Sequence, residues 1–462
     1  MTYSLIIKGT GFTSRDRQKV DVLKDALFLI DDHGVIAEVI ERKESSYDSI
    51  LAKYEQSEYF IALGENEYLL PGMVDLHIHA PQWAQSGTAL DIPLADWLHT
   101  YTFPLEAKYS NLAFADQVYS DLVAQLLGAG TTTGLYFATV HQEASFRLAE
   151  ICAAKGQRGL VGKVVMDDPE QNPEYYRDGS TEEALNATEA FIQRVQRLNE
   201  TTKQGVYPVV TPRFIPSCTD QALDGLGKLA AKYDVHIQSH CSESDWEHGY
   251  VRERFGKNDA FALNDFGLLA DKSVMAHCNH LTTEDARLFA ETGTAIAHCP
   301  ISNAYFANGV LPLKEYAEDF QLEIGLGTDI SGGFSKSIFD NIKQAVMSSR
   351  LLEDGVNTRL SSTERGVPKS SVTLNEAFYH ATAGGGQALS LPIGKLAKGY
   401  AWDALVIKAD VPEARLPIFD QDEALTDVFQ KLIYMSQAAN IRNVWVQGQL
   451  VHTKGATNGN HN

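Results

Sequence analysis

The sequence predicts an α/β protein: a (β/α)8 TIM barrel with a small β-sandwich domain formed from both chain ends. Eight short apolar runs between residues 73 and 329 alternate with helical stretches, which is the pattern of repeated parallel β-α units. Further strand-like runs lie near the two ends of the chain. The simplest architecture pairs these ends into one small domain beside the barrel.

Residues 1–68 are predicted to be the N-terminal part of the small β domain. The runs SLIIKG, ALFLIDD and GVIAEVI have the length and apolar content of short strands. Asp31, Asp32 and Gly34 supply a turn between the second and the third run. Residues 41–58 are polar and charged, which predicts a loop or a short helix.

Residues 69–390 are predicted to form the barrel. Its eight strand candidates are MVDLHIH (73–79), TTTGLYFAT (131–139), GLVGKVVMD (159–167), YPVVTPRF (207–214), VHIQSH (235–240), SVMAHC (273–278), AIAHCP (295–300) and EIGLGTD (323–329). Helical stretches between them, such as 112–130 and 182–200, carry apolar residues at three- and four-residue spacings.

Polar residues stand at the carboxyl ends of most of these strands. They are His77, His79, Arg213, His240, His277, His298 and Asp329. Because barrel active sites are built at that end, we expect these side chains to meet in one site.

Residues 391–455 are predicted to be the C-terminal part of the small β domain. One helix over 374–391 precedes them, and strands are expected over 394–407 and 440–452. The tail, residues 456–462, is predicted to be disordered.

The composition excludes some partners. The chain of 462 residues has 39 Lys and Arg against 60 Asp and Glu, a net charge of -21, which argues against nucleic acid or an anionic membrane. Its five cysteines form no CxxC pair, as in a reducing compartment. The start of the sequence does not resemble a signal peptide, and no apolar run is long enough to span a bilayer. We expect a cytoplasmic protein.

A metal site is predicted around the first barrel strand. His77 and His79 point to the same face because strand side chains alternate, although two polar residues at a strand end need not bind anything. His240 adds a third nitrogen, and Asp329 closes the last strand, which neighbours the first in a closed barrel. Catalytic zinc takes such ligands and leaves a position for water, whose pKa falls to ~7.

Glu243 and His277 are the candidates for proton chemistry. Glu243 lies three residues after His240 at a strand-to-helix turn. It could carry a water proton to the substrate, or it could simply be an acid that the dipole of the following helix favours. His277 could orient the attacking water or be a buried structural histidine. His298 could line the site or pack beneath it. Cys241, Cys278 and Cys299 each follow a barrel histidine and should pack toward the helices.

One metal is favoured over two. No lysine ends the fourth strand, where a carboxylated lysine could bridge two metals, and Lys163 on the third strand is a poor substitute. The other zinc deaminase pattern, H-x-E followed by P-C-x-x-C, is absent from the sequence.

The motifs PGMVDLHIHA, HIQSHCSE, VMAHC, IAHCP, IGLGTD and GKLAKGYAWDALVI resemble the amidohydrolase superfamily, in particular its ATZ/TRZ-type metal-dependent hydrolases. The segments at 89–106, 130–141, 159–167 and 210–214 resemble the guanine-deaminating branch of that family, in the same order. The resemblance covers roughly residues 60–410.

The resemblance implies hydrolytic deamination of guanine to xanthine and ammonia, with one Zn²⁺ per chain and a homodimer. It implies metal ligation by His77, His79, His240 and Asp329. It implies catalytic roles for Glu243, His277 and Asp329. It implies substrate contacts from Gln82, Trp83, Arg213, Phe214 and His277.

Two short segments depart from the family pattern. Cys278 and Asn279 follow His277 where the family usually has glycine, and Ile301 follows the HCP motif where the family usually has Asn. These segments bear on substrate preference. Two alternatives stay open: a deaminase or chlorohydrolase acting on another heterocycle, and a catalytically inactive barrel scaffold. The ligand set also accepts Fe or Mn in place of Zn.

Overall fold

The computed structural model describes residues 3–420 and 422–454, so the predicted tail at 456–462 lies outside the described residues. The strands are β1 Tyr3–Ser14, β2 Val20–Asp31, β3 Ile36–Ile40, β4 Phe60–Ala62, β5 Glu67–Pro71, β6 Met73–His79, β7 Thr131–Phe137, β8 Arg158–Val165, β9 Val206–Pro212, β10 His236–Cys241, β11 Ser273–His277, β12 Ala295–His298, β13 Ile324–Leu326, β14 Ala404–Lys408, β15 Ile441–Val446 and β16 Gln449–Thr453.

The helices connect these strands in the alternating order that the sequence predicts. They are α1 Tyr47–Tyr54, α2 Leu94–Trp97, α3 Phe103–Glu106, α4 Leu112–Gly128, α5 Gln142–Lys155, α6 Thr181–Asn199, α7 Asp220–Tyr233, α8 Asp245–Phe255, α9 Asp259–Asp265, α10 Thr283–Thr292, α11 Pro300–Ser302, α12 Leu313–Glu318, α13 Ile338–Asp354, α14 Leu374–Ala381, α15 Ala383–Ala388 and α16 Leu425–Met435. Within the described ranges, no helix has both the length and the apolarity to cross a membrane.

The eight strands β6 to β13 form the parallel barrel in chain order. The first and last strands meet just beyond β13, where Asp329 N donates to His77 O at 2.8 Å and His79 N donates to Ile330 O at 2.8 Å. The predicted (β/α)8 barrel is therefore confirmed. These two bonds also set the metal-site candidates of both strands side by side.

All eight predicted barrel strands are present, but several end one to three residues earlier than expected, and the last is shortened most. β13 ends at Leu326, whereas the pattern predicted a strand to residue 329. Thr328 donates from N and Oγ1 to the buried Asp75 carboxylate, at 2.9 and 2.6 Å. Asp329 follows with a φ of 48°, in the left-handed region that a strand does not use. This turn aims the Asp329 carboxylate into the barrel mouth.

The remaining strands form one mixed sheet from both chain ends, in the order β16-β15-β14-β5-β1-β2-β3, with β4 against β1. Its core includes the rings of Phe28 and Trp402, whose centroids lie 5.4 Å apart. The chain passes from this sheet into the barrel at Gly72, where a Cβ would lie 2.2 Å from Thr132 Oγ1. The domain boundaries at 68/69 and 390/391 stay predictions.

The C-terminal predictions need two corrections. The single helix expected over 374–391 is two helices, because Thr382 leaves the helical region at φ -131° and ψ -94°. Behind this break Gly385 packs on the barrel floor, where a Cβ would lie 2.7 Å from the Val74 side chain. The strand expected from residue 394 begins only at Ala404, since Leu396 N instead donates to Thr13 Oγ1 at 3.0 Å.

Candidate active site

A cavity opens at the carboxyl end of the barrel, with about 480 Å³ of atom-free space including its mouth. Polar lining comes from His79, Gln82, Arg213, His240, Glu243, Glu247, His277 and Asp329. Apolar lining comes from Leu94, Trp97, Leu98, Phe214, Trp246 and Phe306.

The four predicted metal ligands converge at the floor of this cavity. His79 Nε2 and His240 Nε2 are 3.0 Å apart. Asp329 Oδ1 lies 3.3 Å from His77 Nε2 and 3.6 Å from His79 Nε2. One ligand atom each from His77, His79 and Asp329 falls within a 4.8 Å cluster, and so does one each from His77, His240 and His277. This is a His/Asp metal-site candidate.

The protonation of the cluster fits a metal ion. Burial holds the pKa of His77, His79 and His240 well below the ordinary value, so all three imidazoles are neutral at pH 7, as ligands must be. His240 Nδ1 bonds the Arg213 carbonyl, which leaves the Nε2 lone pair pointing at the cluster. His77 Nε2 is buried and makes no hydrogen bond with any described residue.

Asp329 is held by its own neighbours. Ser302 Oγ donates to Asp329 Oδ2, and Oδ1 is left facing the histidines. Burial raises the pKa of the Asp329 carboxyl, while nearby His277 acts in the opposite direction. A cation at the cluster would relieve this burial cost, because it favours the charged carboxylate.

Glu243 lies beside the cluster, at the turn between β10 and α8 as predicted. Its Oε1 is 3.7 Å from His277 Nε2. Burial, and secondarily the Asp329 charge, raises the pKa of the Glu243 carboxyl to about 8. The backbone N–H of Glu243 donates to Glu247 Oε2 at 2.9 Å, which fixes the turn independently of the Glu243 side chain.

Two asparagines connect His277 to this turn, and neither was among the predicted site residues. His277 Nδ1 donates to Asn303 Oδ1 at 2.9 Å, so His277 Nε2 faces Glu243 without a proton. Asn303 Nδ2 donates to Asn279 Oδ1 at 3.0 Å. Asn279 Nδ2 donates to the Glu243 carbonyl at 3.2 Å. Asn279 was visible in the sequence only as a departure from the family pattern.

The opposite wall carries Arg213 and Gln82, and a residue that the sequence reasoning missed lies behind them. Arg213 Nη1 donates to Glu106 Oε2 at 2.7 Å, and Gln82 Nε2 donates to Glu106 Oε1 at 2.9 Å. Glu106 is completely buried at the end of α3. Its only signal in the sequence was an acid closing the largely apolar segment TFPLE.

Aromatic side chains form the mouth of the cavity. The predicted contact residue Phe214 lies 5.8 Å from the half-exposed Trp246, between ring centroids. Across the mouth, Trp97 and Phe306 lie 5.0 Å apart. Flat apolar faces of this kind suit a planar heterocycle.

Trp83, the remaining predicted substrate contact, does not line the cavity. Its Nε1–H donates to Asp121 Oδ2 on α4 at 2.7 Å, and its ring packs on the outer side of the barrel. The 3-10 turn after β6 separates the two neighbours, sending Gln82 inward and Trp83 outward. We therefore leave Trp83 out of the substrate site.

His298 and Lys163 take structural positions. His298 is buried beneath the cavity without lining it, and burial lowers its pKa to about 3. Lys163 Nζ lies 2.5 Å from Asp178 Oδ1 in a buried ion pair. The predicted packing of Cys241 and Cys278 holds, because both thiols belong to the core between strands and helices.

Comparisons with known proteins agree on one family. The model of the amidohydrolase family matches residues 68–451. Curated guanine deaminases of Dictyostelium discoideum and Homo sapiens are 37% and 38% identical to this chain, over 96% of its length and 98% and 96% of theirs. A crystal structure of guanine deaminase from C. acetobutylicum, with guanine bound in the active site, has a TM-score of 0.85 at 31% identity, covering 97% of this chain and 100% of that one.

Proposed function

This chain belongs to the amidohydrolase family, and we propose that it is a zinc-dependent guanine deaminase, hydrolysing guanine to xanthine and ammonia. One observation carries the proposal. One cavity brings together a cluster of three neutral histidines and a carboxylate, a second carboxyl with a raised pKa, and a wall formed by an arginine and a glutamine. The chain that carries this cavity is related over 96% of its length to curated guanine deaminases.

The residues that would hold the metal are His77, His79, His240 and Asp329. The orphaned Nε2 of His77 and the lone pair of His240 Nε2 support this set. Zn²⁺ in such a site supplies a Lewis acid and lowers the pKa of a bound water to ~7. We propose one ion per chain, since Lys163 is already paired with Asp178.

Glu243 is proposed to move the protons. Its carboxylate accepts a proton from the water that adds to C2 of guanine, and delivers it to ring N3. The bond between C2 and its amino group then breaks, and the nitrogen leaves as ammonia with a further proton. Burial moves the pKa of this carboxyl upward from its usual range toward neutrality, where one group can both accept and deliver a proton. His277 Nε2, 3.7 Å from Glu243 Oε1, orients the water.

Arg213 and Gln82 are proposed to recognise the base. A guanidinium has only donors, so it matches the oxygen at C6 of guanine and opposes the amine at C6 of adenine. Gln82 offers an amide to the ring edge, and Phe214 offers an aromatic face. The family branch and the Arg213 position both favour guanine over other heterocycles.

Turnover of a substrate panel tests this proposal against its rivals. The purified protein is incubated with guanine, adenine, cytosine and a chlorinated triazine, and ammonia and chloride release are measured. Xanthine and ammonia from guanine, with little product from the others, support the proposal. Faster release of ammonia or chloride from another heterocycle would indicate a deaminase or chlorohydrolase with a different substrate. No release from the metal-loaded protein would indicate a catalytically inactive scaffold.

Metal content tests the ligand assignment. Elemental analysis should find about one metal per chain, and should identify it among Zn, Fe and Mn. His240→Ala should lose the metal. His236→Ala is the matched control, because His236 begins the same strand and bonds Leu389 O at 3.0 Å, away from the cluster. Metal retained in His240→Ala, or two ions in the wild type, would contradict the assignment.

The homodimer and the cytoplasmic location stay predictions from the family resemblance and the composition. Light scattering and fractionation of the native source test them separately from the activity.

A further inference from the structure

Glu106 is the centre of a hydrogen-bond cluster behind the cavity wall. Arg213 donates from Nη1 to Oε2 at 2.7 Å and from Nη2 to Oε1 at 3.3 Å. Gln82 Nε2 donates to Oε1 at 2.9 Å, and Tyr176 Oη donates to Oε2 at 2.6 Å. The carboxylate is fully buried and is not among the cavity-lining groups.

We propose that Glu106 is a positioning residue that sets purine selectivity through Arg213 and Gln82. A carboxylate has about four lone-pair sites, and the four donors above fill them. Glu106 therefore has no acceptor left for a substrate and acts through the two side chains that face the cavity. The inference rests on the proposed function, since it names what orients the proposed guanine contacts.

The cluster fixes the direction of each donor. Arg213 uses two of its five N–H donors on Glu106, in the two-pronged geometry that pins a guanidinium plane. The Gln82 amide is held at both ends, because Nε2 donates to Glu106 and Oε1 accepts from Ser331 N at 3.2 Å. Neither group can rotate without breaking these bonds.

This rigidity is what discrimination between bases requires. A buried donor that faces an amine in place of an oxygen loses a bond only if it cannot turn away. Glu106 lies on a separate short helix, 24 positions from Gln82 and 107 from Arg213, and holds both side chains from behind the cavity wall. Without its charge, Arg213 would be free to reorient and would also lose its buried partner.

The test is Glu106→Gln, which keeps the size of the side chain but replaces one acceptor by an amide donor. We expect the kcat/KM for guanine to fall at least ~10²-fold, the effect of a misplacement near 1 Å, mostly through KM. The preference for guanine over adenine should fall by a similar factor. Metal content should be unchanged, because Glu106 touches none of the proposed ligands.

A second buried ion pair provides the control for simple structural damage. Arg158 pairs with Asp403 where the barrel meets the mixed sheet, with side chains only 3% and 1% exposed. Asp403→Asn should lower the melting temperature but leave the guanine-to-adenine ratio as in the wild type. A purely structural Glu106 would behave in the same way.

A double mutant separates action through Arg213 from an independent effect. If Glu106 works through Arg213, adding Arg213→Met to Glu106→Gln should lower kcat/KM for guanine by less than a further ~10-fold. The loss in the double mutant would then be much smaller than the product of the two single losses. If Glu106→Gln fails to fold, Tyr176→Phe provides the test because it removes one donor to Glu106. It should lower the guanine-to-adenine ratio of kcat/KM about 10-fold.

An unchanged guanine-to-adenine ratio in Glu106→Gln, or in Tyr176→Phe if that is the only folded variant, overturns the inference. Fully multiplicative effects in the double mutant do the same. Failure of the proposed function looks different, since the wild type itself would then prefer another heterocycle. In that case the same variants are compared on the preferred substrate and its nearest analogue, where Glu106→Gln is still expected to narrow the selectivity.

Discussion

Replacing Glu243 by Gln should remove proton transfer and leave the rest of the site in place. The backbone of the Glu243 turn is held from outside, by Glu247 at its N–H and by Asn279 at its carbonyl. The side chain is buried, and its raised pKa reflects that burial first. Gln has nearly the same volume, so the fold and the metal should be retained, but its amide acts neither as an acid nor as a base near neutral pH.

The expected loss in kcat is ~10²- to 10⁴-fold, which is the usual contribution of a placed acid or base and corresponds to about 2.7–5.4 kcal/mol. Single-turnover conversion of guanine to xanthine measures it, with metal content determined on the same sample. Asp245→Asn, a fully exposed acid on the same turn, is the control and should keep wild-type turnover. Wild-type kcat in Glu243→Gln with its metal bound would refute the proton-transfer role.

Variants at three further positions test separate parts of the site and fold. Arg213→Met should lower kcat/KM for guanine at least ~10²-fold with the metal retained, which steady-state kinetics and elemental analysis check. Asn303→Ala should lower kcat about 10- to 100-fold with little change in KM, and Asn303→Asp, which keeps the acceptor for His277 Nδ1, should recover part of it. Burial lowers the pKa of His380 to about 4, so unfolding takes up a proton and stability falls as the pH drops from about 6.5 toward 4. Between pH 7 and pH 5, the free energy of unfolding measured with denaturant should fall about 2 kcal/mol less in His380→Gln than in the wild type. An equal fall in the two proteins would contradict the assignment of the low pKa to His380.

The barrel and its metal cluster followed from local patterns. A histidine at a strand end has a defined direction, and parallel strands of one barrel share one mouth, so His77, His79 and His240 could be brought together without coordinates. Asp329 needed one more step, the closure of the barrel between its first and last strands. The turn that ends β13 early could not be foreseen, because it depends on Asp75, 253 residues away from Thr328.

The residues missed or misplaced share a different physical cause. Glu106 and Asn303 lie on short helical segments in the loops above the barrel, where no strand periodicity gives the direction of a side chain. Their partners lie 107 and 26 positions away in the sequence. Trp83 adjoins Gln82, and only the 3-10 turn there decides which of the two faces the cavity.

The ratio of kcat/KM for guanine to that for adenine, in metal-loaded wild-type protein, tests the central claim most directly. If fixed donors face C6 of the bound purine as proposed, the ratio should be ~10⁴ or more, with equal amounts of xanthine and ammonia formed from guanine. Equal kcat/KM for the two bases, or turnover of guanine without xanthine, would contradict the claim.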